Sequence, residues 1–319
     1  MNERKPRLLY YSCLKYQPVN RGFLEENFEV FESQNPDKDT PELLSAIEVI
    51  CAPLGYKVTE ERLQLCHSLK YVLSNTTGVA HIDVDAAKKR GVEVCALHDE
   101  QEFLDMITPT AEHTIGLLLA AWRRIPACYD FVLQGHWDRR PFGAPRMLSR
   151  MRLGLIGYGR LGKRVGDIAG AMGMKIAFFD PYVAGGEVSP IALARKSDVL
   201  SIHAIANEET RGLISREVLS ELPRGSMVVN TARGEILDTD ALVDLMESGH
   251  IYAAGLDVLD GEFEPNFEKS LSSNRVLNYA RKNDRLVLTP HTAGSTLDAW
   301  YETERFVIEK VIKKIRNER

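Results

Sequence analysis

Short apolar runs alternate with stretches of helical periodicity, and they do so in two separate series. Residues 8–13, 28–31, 49–52, 71–74 and 92–96 read as buried strands of the first series. Residues 153–156, 175–179, 199–203, 227–229, 251–256 and 286–288 read as those of the second. Amphipathic stretches such as 59–67 and 84–89, the latter stopped by Gly91, fill the gaps. Strand–helix alternation of this kind predicts parallel sheets covered by helices on both faces. Unbroken apolar runs, rather than alternating ones, are what strands buried on both faces require.

Between the series lies Thr108-Pro109-Thr110, leading into a helical pattern over 111–124. Thr110 is placed to cap it, and Glu112 suits the positive end of its dipole. Residues 134–150 are rich in Gly, Pro and Arg and read as loop. Helices of the second series are expected to start near Leu161, Ser189, Ser215 and Thr239. The spacing of Trp300, Phe306, Val307, Val311 and Ile315 predicts a long amphipathic helix over 295–319.

At about 150 residues per domain, 319 residues favour two domains. A net charge of −5, with no run of lysine or arginine, argues against a nucleic-acid partner. The longest apolar stretch, 115–122, is too short to span a bilayer, so no membrane partner is expected. The charged start of the chain is not followed by a signal-peptide core, so secretion is not expected and the location is read as cytoplasmic. Five scattered cysteines read as buried reduced thiols. No Cys-x-x-Cys or His-x-x-x-His spacing occurs, so no metal site is expected.

The second series carries the chemistry. After the strand 153–156 comes Gly157-Tyr158-Gly159-Arg160-Leu161-Gly162, a Gly-x-Gly-x-x-Gly turn into a helix. The first glycine permits the tight turn, the second lets a pyrophosphate approach the backbone, and the third allows close helix–strand packing. The next strand ends in Asp180, where an acid accepts hydrogen bonds from ribose hydroxyls. The pair predicts a dinucleotide site. A carboxylate at that position repels a 2′-phosphate, and Pro181-Tyr182-Val183 offers no arginine to receive one, so the cofactor is read as NAD. The bland alternative is that Asp180 only opens an Asp-Pro turn.

Oxidising an alcohol to a ketone needs a base for the hydroxyl proton and a cation for the substrate's charge. Arg233 follows the strand 227–229, and an arginine there can grip a carboxylate with two parallel hydrogen bonds. His291, behind Pro290 at the end of the strand 286–288, titrates near neutrality and suits a reversible acid/base. A carboxylate bonded to that histidine would orient its ring. Glu262 and Glu264 both follow the strand 251–256, and spacing alone does not choose between them.

These residues resemble the D-isomer-specific 2-hydroxyacid dehydrogenase family, with a cast similar to its phosphoglycerate dehydrogenase branch. The resemblance covers nearly the whole chain. It rests on Tyr158-Gly159-Arg160-Leu161-Gly162, Phe179-Asp180-Pro181-Tyr182, Asn230-Thr231-Ala232-Arg233-Gly234, Leu256-Asp257-Val258, Leu288-Thr289-Pro290-His291 and Gly294-Ser295-Thr296. It implies an α/β chain of two doubly wound parallel-sheet domains with an interdomain cleft. The Rossmann-type nucleotide domain would span 105–292, and a flavodoxin-like substrate domain 1–104 and 293–319. The implied activity is NAD-dependent interconversion of a small D-2-hydroxy acid and its 2-keto acid. The family's catalytic arginine, glutamate and histidine carry over to Arg233, Glu262 and His291. Cofactor contacts are expected from Gly157, Gly159, Arg160, Leu161, Gly162, Asp180, His203, Thr231, Ala232, Asp257 and His291.

Substrate contacts are expected from Leu54, Gly55, Thr76, Thr77, Gly78 and Arg233, with threonines where many relatives carry glycine or valine. A homodimer built mainly through the nucleotide domains is implied as well. Two departures stand out. Phe263 occupies the place of the family's proline after the glutamate, and a displaced Glu264-Pro265 pair follows. The stretch 266–285 is longer than the family's and is expected to form an extra helix. A phosphorylated substrate would want further cations, for which Lys57, Arg139 and Arg140 are candidates. The rival readings are an NAD(H)-sensing, corepressor-like interaction protein, and a dehydrogenase of the same fold acting on formate or phosphite.

Overall fold

A computed structural model of the chain describes residues 4–79, 81–264 and 266–317. Pro265, of the displaced Glu-Pro pair, and the outermost residues of the expected substrate domain lie outside them. The chain divides into two compact units. One is formed by the segment up to Ile107 with the segment from Thr296 onward, the other by Thr108–Ser295.

The first unit holds β1 (Arg7–Tyr11), β2 (Glu29–Ser33), β3 (Val49–Cys51), β4 (Tyr71–Leu73) and β5 (Glu93–Cys95). They form one sheet of order β2-β1-β3-β4-β5, every pair parallel. This is the flavodoxin-like winding. Leu8 and Tyr10 face a cluster completed by Leu24, Phe28 and the C-terminal helix residues Val307, Ile308 and Val311. Leu9 and Tyr11 face the opposite cluster with Leu63, Val72 and Ala87. Cover on both faces explains why the β1 run is apolar without alternation.

The second unit holds β6 (Arg152–Ile156), β7 (Lys175–Phe179), β8 (Val199–Ile202), β9 (Ser226–Asn230), β10 (Ile251–Leu256) and β11 (Leu286–Leu288). Its order is β11-β10-β9-β8-β6-β7, again parallel throughout. The chain runs outward from β6 to β7, then returns past β6 to β8. That reversal opens a crevice at the carboxyl ends of β6 and β8, the place where open α/β sheets bind ligands.

All eleven predicted strands are present, with ends shifted by up to two residues. The helices differ more. The long helix is Pro109–Trp122, so Thr108 rather than Thr110 precedes it. Proline at the first position starts the helix by its fixed φ and needs no side-chain cap. The Thr108 hydroxyl instead donates to Glu112 Oε1 at 2.5 Å. A helix at Ile125–Leu133 was not expected, and none of its residues is buried. Arg124, at φ +53°, breaks it from the preceding helix. The 134–150 stretch is loop with two short 3-10 turns. In place of one extra helix, 266–285 contains two, Phe267–Ser270 and Arg275–Ala280. Cys51, Cys66 and Cys95 are buried as expected, whereas Cys13 is exposed and Cys128 half-buried. Cys128 sits on the helix that buries nothing, so its apolar neighbours do not cover it.

Candidate active site

The glycine turn has the shape a pyrophosphate needs. Gly157 lies at φ +87°, and a Cβ there would stand 2.8 Å from the Ala204 amide nitrogen, so β8's end closes directly over it. A Cβ on Gly162 would fall 2.1 Å from the Gly157 carbonyl oxygen. Gly159 has nothing within 4 Å of its notional Cβ. Two glycines are thus demanded by packing, and the middle one leaves open space. The helix Arg160–Ala171 begins at Gly159 with no side-chain cap, so the positive end of its dipole, at the Leu161 and Gly162 amides, faces the turn where an anion would sit. These residues fit a dinucleotide.

Asp180 is more than the opener of a turn. Its Oδ2 accepts the Tyr158 N–H at 2.7 Å and its Oδ1 accepts the Tyr182 N–H at 2.9 Å. One carboxylate fixes the glycine loop and its own turn together, and each oxygen keeps a lone pair for a hydroxyl. His203, after β8, pairs through Nε2 with the Ser201 hydroxyl at 2.8 Å. Burial pushes its pKa down to about 4, so the ring is neutral at pH 7.

Three further loops leave the carboxyl ends of the adjacent strands β9, β10 and β11. Leu256 is in register with Asn230 on one side and Leu288 on the other, so the loops start level. The buried Asn230 organises the first. Its Nδ2 donates to the Arg233 carbonyl and its Oδ1 accepts from Ala232, each near 3.0 Å. Thr231 joins its hydroxyl to that of Thr114 at 2.7 Å. Among the described residues the Arg233 guanidinium bonds only the Ala232 carbonyl, through Nη1 at 2.7 Å, and has no carboxylate partner. Beside it, a Cβ on Gly234 would stand 2.0 Å from the Leu259 carbonyl carbon. Only glycine lets the Arg233 loop lie against the loop that carries Glu262.

Glu262 is the histidine's partner: its Oε1 lies 2.8 Å from His291 Nδ1. The carboxylate accepts, so Nδ1 carries the hydrogen and Nε2 presents a lone pair with no partner among the described residues. Glu264 is exposed. Phe263 lies 5.4 Å from the imidazole, ring centre to ring centre. His291 itself has φ +52°, a left-handed conformation costing a non-glycine residue about 1–2 kcal/mol. Asp257 holds it there. The Asp257 carbonyl accepts the His291 N–H at 2.8 Å, while its carboxylate accepts from Thr289 Oγ1, Thr292 N and Ala293 N. The Asp257 N–H in turn donates to the Asn230 carbonyl at 2.9 Å. Arg233, Glu262 and His291 are therefore tied into one hydrogen-bonded framework. Nothing in the sequence spacing pointed to Asn230 or Thr289.

The first unit carries the other expected residues. Leu54 is exposed and Gly55 lies at φ +90°. Thr76 Oγ1 donates to the Gly78 carbonyl at 2.7 Å and so accepts from the Ser74 hydroxyl at 2.8 Å. Its hydroxyl hydrogen is already used. The amides of Thr76, Thr77 and Gly78 have no acceptor among the described residues. Arg140 pairs with Asp138 and lines a 440 Å³ cavity with Gly225, Tyr252 and Arg285, at the amino ends of β9, β10 and β11. That places Arg139 and Arg140 at the opposite end of the sheet from Arg233, so neither can meet a substrate phosphate there.

The family model for the NAD-binding domain of D-isomer specific 2-hydroxyacid dehydrogenases matches residues 115–293. A hydroxypyruvate reductase from Thermotoga maritima is 31% identical over 93% of each chain. The chain belongs to the D-isomer-specific 2-hydroxyacid dehydrogenase family. A D-3-phosphoglycerate dehydrogenase from Methanocaldococcus jannaschii is 32% identical over 92% of this chain, which spans 55% of that longer protein. Among solved structures, a D-lactate dehydrogenase from Aquifex aeolicus, complexed with NAD and lactic acid, superposes with a TM-score of 0.80 and 28% identity, covering 97% of this chain and 96% of its own. The protein is thus an NAD-dependent oxidoreductase, a 2-hydroxyacid dehydrogenase with a Rossmann nucleotide-binding fold. No helix among the described residues is long and apolar enough to cross a membrane.

Proposed function

We propose that this dehydrogenase interconverts a small D-2-hydroxy acid and its 2-keto acid with His291 as acid/base, Arg233 as the substrate's cation and Glu262 as the histidine's partner. The observation that carries this reading is the 2.8 Å contact between Glu262 Oε1 and His291 Nδ1, which fixes the tautomer and leaves Nε2 to take or give a proton. When bound, NAD supplies the hydride acceptor, and NADH the donor. The Arg160, Leu161 and Gly162 amides would hold its pyrophosphate, and Asp180 would take the ribose hydroxyls. Asp257 keeps one lone pair on Oδ2 for a further donor, and Thr231, Ala232 and His203 border the same strand ends. Arg233, with no acid partner among the described residues, draws the substrate carboxylate or polarises its oxygen. The free amides of Thr76, Thr77 and Gly78 form an anion nest suited to a carboxylate, beside Leu54 and Gly55.

The nucleotide domain is read as 105–292 and the substrate domain as 1–104 with 293–319; the division of the chain at Ile107 and Thr296 supports this. A homodimer through the nucleotide domains is supported by the helix Ile125–Leu133. Tyr129 and Leu133 on it, and Trp137 after it, are 63%, 68% and 89% exposed, an apolar face suited to a second copy. A cytoplasmic location is supported by the five cysteines, all free thiols.

The test is NADH oxidation by purified protein over glyoxylate, pyruvate, hydroxypyruvate, 2-ketoglutarate and branched 2-keto acids. Turnover on at least one, lowered by about 10²–10⁴-fold in His291→Asn, is expected. Absence of turnover on all of them, with NADH bound, would overturn the assignment in favour of a sensing role.

A further inference from the structure

His113 is a half-buried histidine to which the mechanism gives no task. His113 lies on the helix Pro109–Trp122, which approaches β10 closely because Gly255 has no side chain: a Cβ there would stand 2.7 Å from Leu117 Cγ. The amino end of that helix therefore reaches the carboxyl ends of β9, β10 and β11. There His113 Nε2 lies 3.0 Å from the Thr289 hydroxyl and 3.5 Å from Asp257 Oδ1.

The direction of each hydrogen bond follows from chemistry. Asp257 is fully buried, and its Oδ1 lies 2.5 Å from Thr289 Oγ1. A carboxylate only accepts, so the single hydroxyl hydrogen of Thr289 points at Asp257. Thr289 then accepts at its remaining lone pairs, and His113 Nε2 carries the hydrogen that it accepts. The result is a one-way relay from His113 through Thr289 to Asp257. Asp257 is the group whose carbonyl and carboxylate hold 291–293 in the left-handed turn at His291.

We propose that His113 is a positioning residue for His291, acting through Thr289 and Asp257. It touches neither the imidazole nor, on this reading, the substrate. It commits the Thr289 hydroxyl to one rotamer, so that Asp257 keeps its full set of donors and the strained turn keeps one conformation. Misplacement of a reacting group by about 1 Å can cost on the order of 10²-fold in rate. A partial loosening at His291 is expected to cost less, about 10-fold in kcat. The inference rests on His291 being the acid/base.

The experiment compares wild type with His113→Ala, His113→Gln, Thr289→Val and the double variant His113→Ala/Thr289→Val, measuring kcat, both KM values, NADH binding by fluorescence and Tm. His113→Ala should lose about 10-fold in kcat, with NADH binding within about 2-fold of wild type and KM for the keto acid little changed. His113→Gln, whose amide donates from a similar place, should recover most of that loss. The double variant should be no slower than Thr289→Val alone, because both changes break one relay. Wild-type kcat in His113→Ala, a parallel loss in NADH binding, no recovery by His113→Gln, or additive losses in the double variant would each overturn the inference. Should His113→Ala not fold, Thr289→Val and His113→Gln decide it by the same readings. An active wild type with an inactive His291→Asn but a normal His113→Ala removes this relay alone. Undiminished turnover in His291→Asn removes the underlying reading.

Discussion

Glu262 faces His291 across a 2.8 Å hydrogen bond, although the two lie 29 residues apart and on loops from different strands. The bond fixes the orientation of the imidazole ring. Hydrogen bonds to charged groups contribute about 1.5–3 kcal/mol. Glu262→Gln keeps the shape and removes the charge, so kcat should fall by about 10- to 100-fold. Glu264→Gln serves as the comparison and should leave kcat within about 2-fold of wild type. Equal losses in the two variants would refute the pairing.

Replacing His291 by Asn removes the proposed proton acceptor while leaving a hydrogen-bonding side chain of smaller size. General acid–base catalysis contributes about 10²–10⁴-fold, and kcat should fall by that amount. NADH binding should persist, since the glycine turn is untouched. Arg233→Lys keeps a charge but loses the planar fork, so it should raise KM for the keto acid and lower kcat together.

The three glycines of the phosphate turn should separate by phenotype. Gly159→Ala adds a methyl where nothing lies within 4 Å, so Tm should hardly change while NADH affinity drops at least 10-fold. Gly157→Ala combines φ +87° with a 2.8 Å approach to the Ala204 amide, and Gly162→Ala meets the Gly157 carbonyl at 2.1 Å. Both should lower Tm as well as NADH affinity. A Gly159→Ala protein that binds NADH normally would argue against a pyrophosphate at this turn.

Asp180 should govern cofactor choice. Wild type is expected to prefer NAD to NADP by kcat/KM, and Asp180→Ala to narrow that preference. The variant also loses the acceptor for the Tyr158 and Tyr182 amides, so NADH affinity should fall too.

Stability should carry the mark of His203. Its folded pKa, about 4, lies below that of an exposed histidine near 6.5, because burial disfavours the charged ring. The unfolded chain therefore binds more protons between those values. The stability this ring contributes is complete above pH 6.5 and is lost as pH falls toward 4, on the order of 2 kcal/mol given the ring's partial exposure. His203→Gln should flatten the Tm profile across that window. An unchanged slope would show that other groups set the acid limb.

The sequence alone determined the two series of strands, the parallel arrangement of both sheets and the residues at their carboxyl ends. Those features depend on local chemistry: apolar runs such as 199–202, glycines that permit a turn at 157–162, and charged or titratable residues stranded at strand ends. What it could not decide was which distant groups meet. Glu262 over Glu264, the reach of Asp180 to the Tyr158 amide, the bond from the Asp257 amide to the Asn230 carbonyl and the approach of His113 to Thr289 all join residues separated along the chain. The helix at 125–133 was missed for a related reason, since an apolar helix that buries nothing within its own unit breaks the pattern that burial normally imposes. Local propensity and periodicity act between near neighbours, whereas the register of β9, β10 and β11 sets which side chains share an acceptor. That register is settled only when the whole sheet is packed.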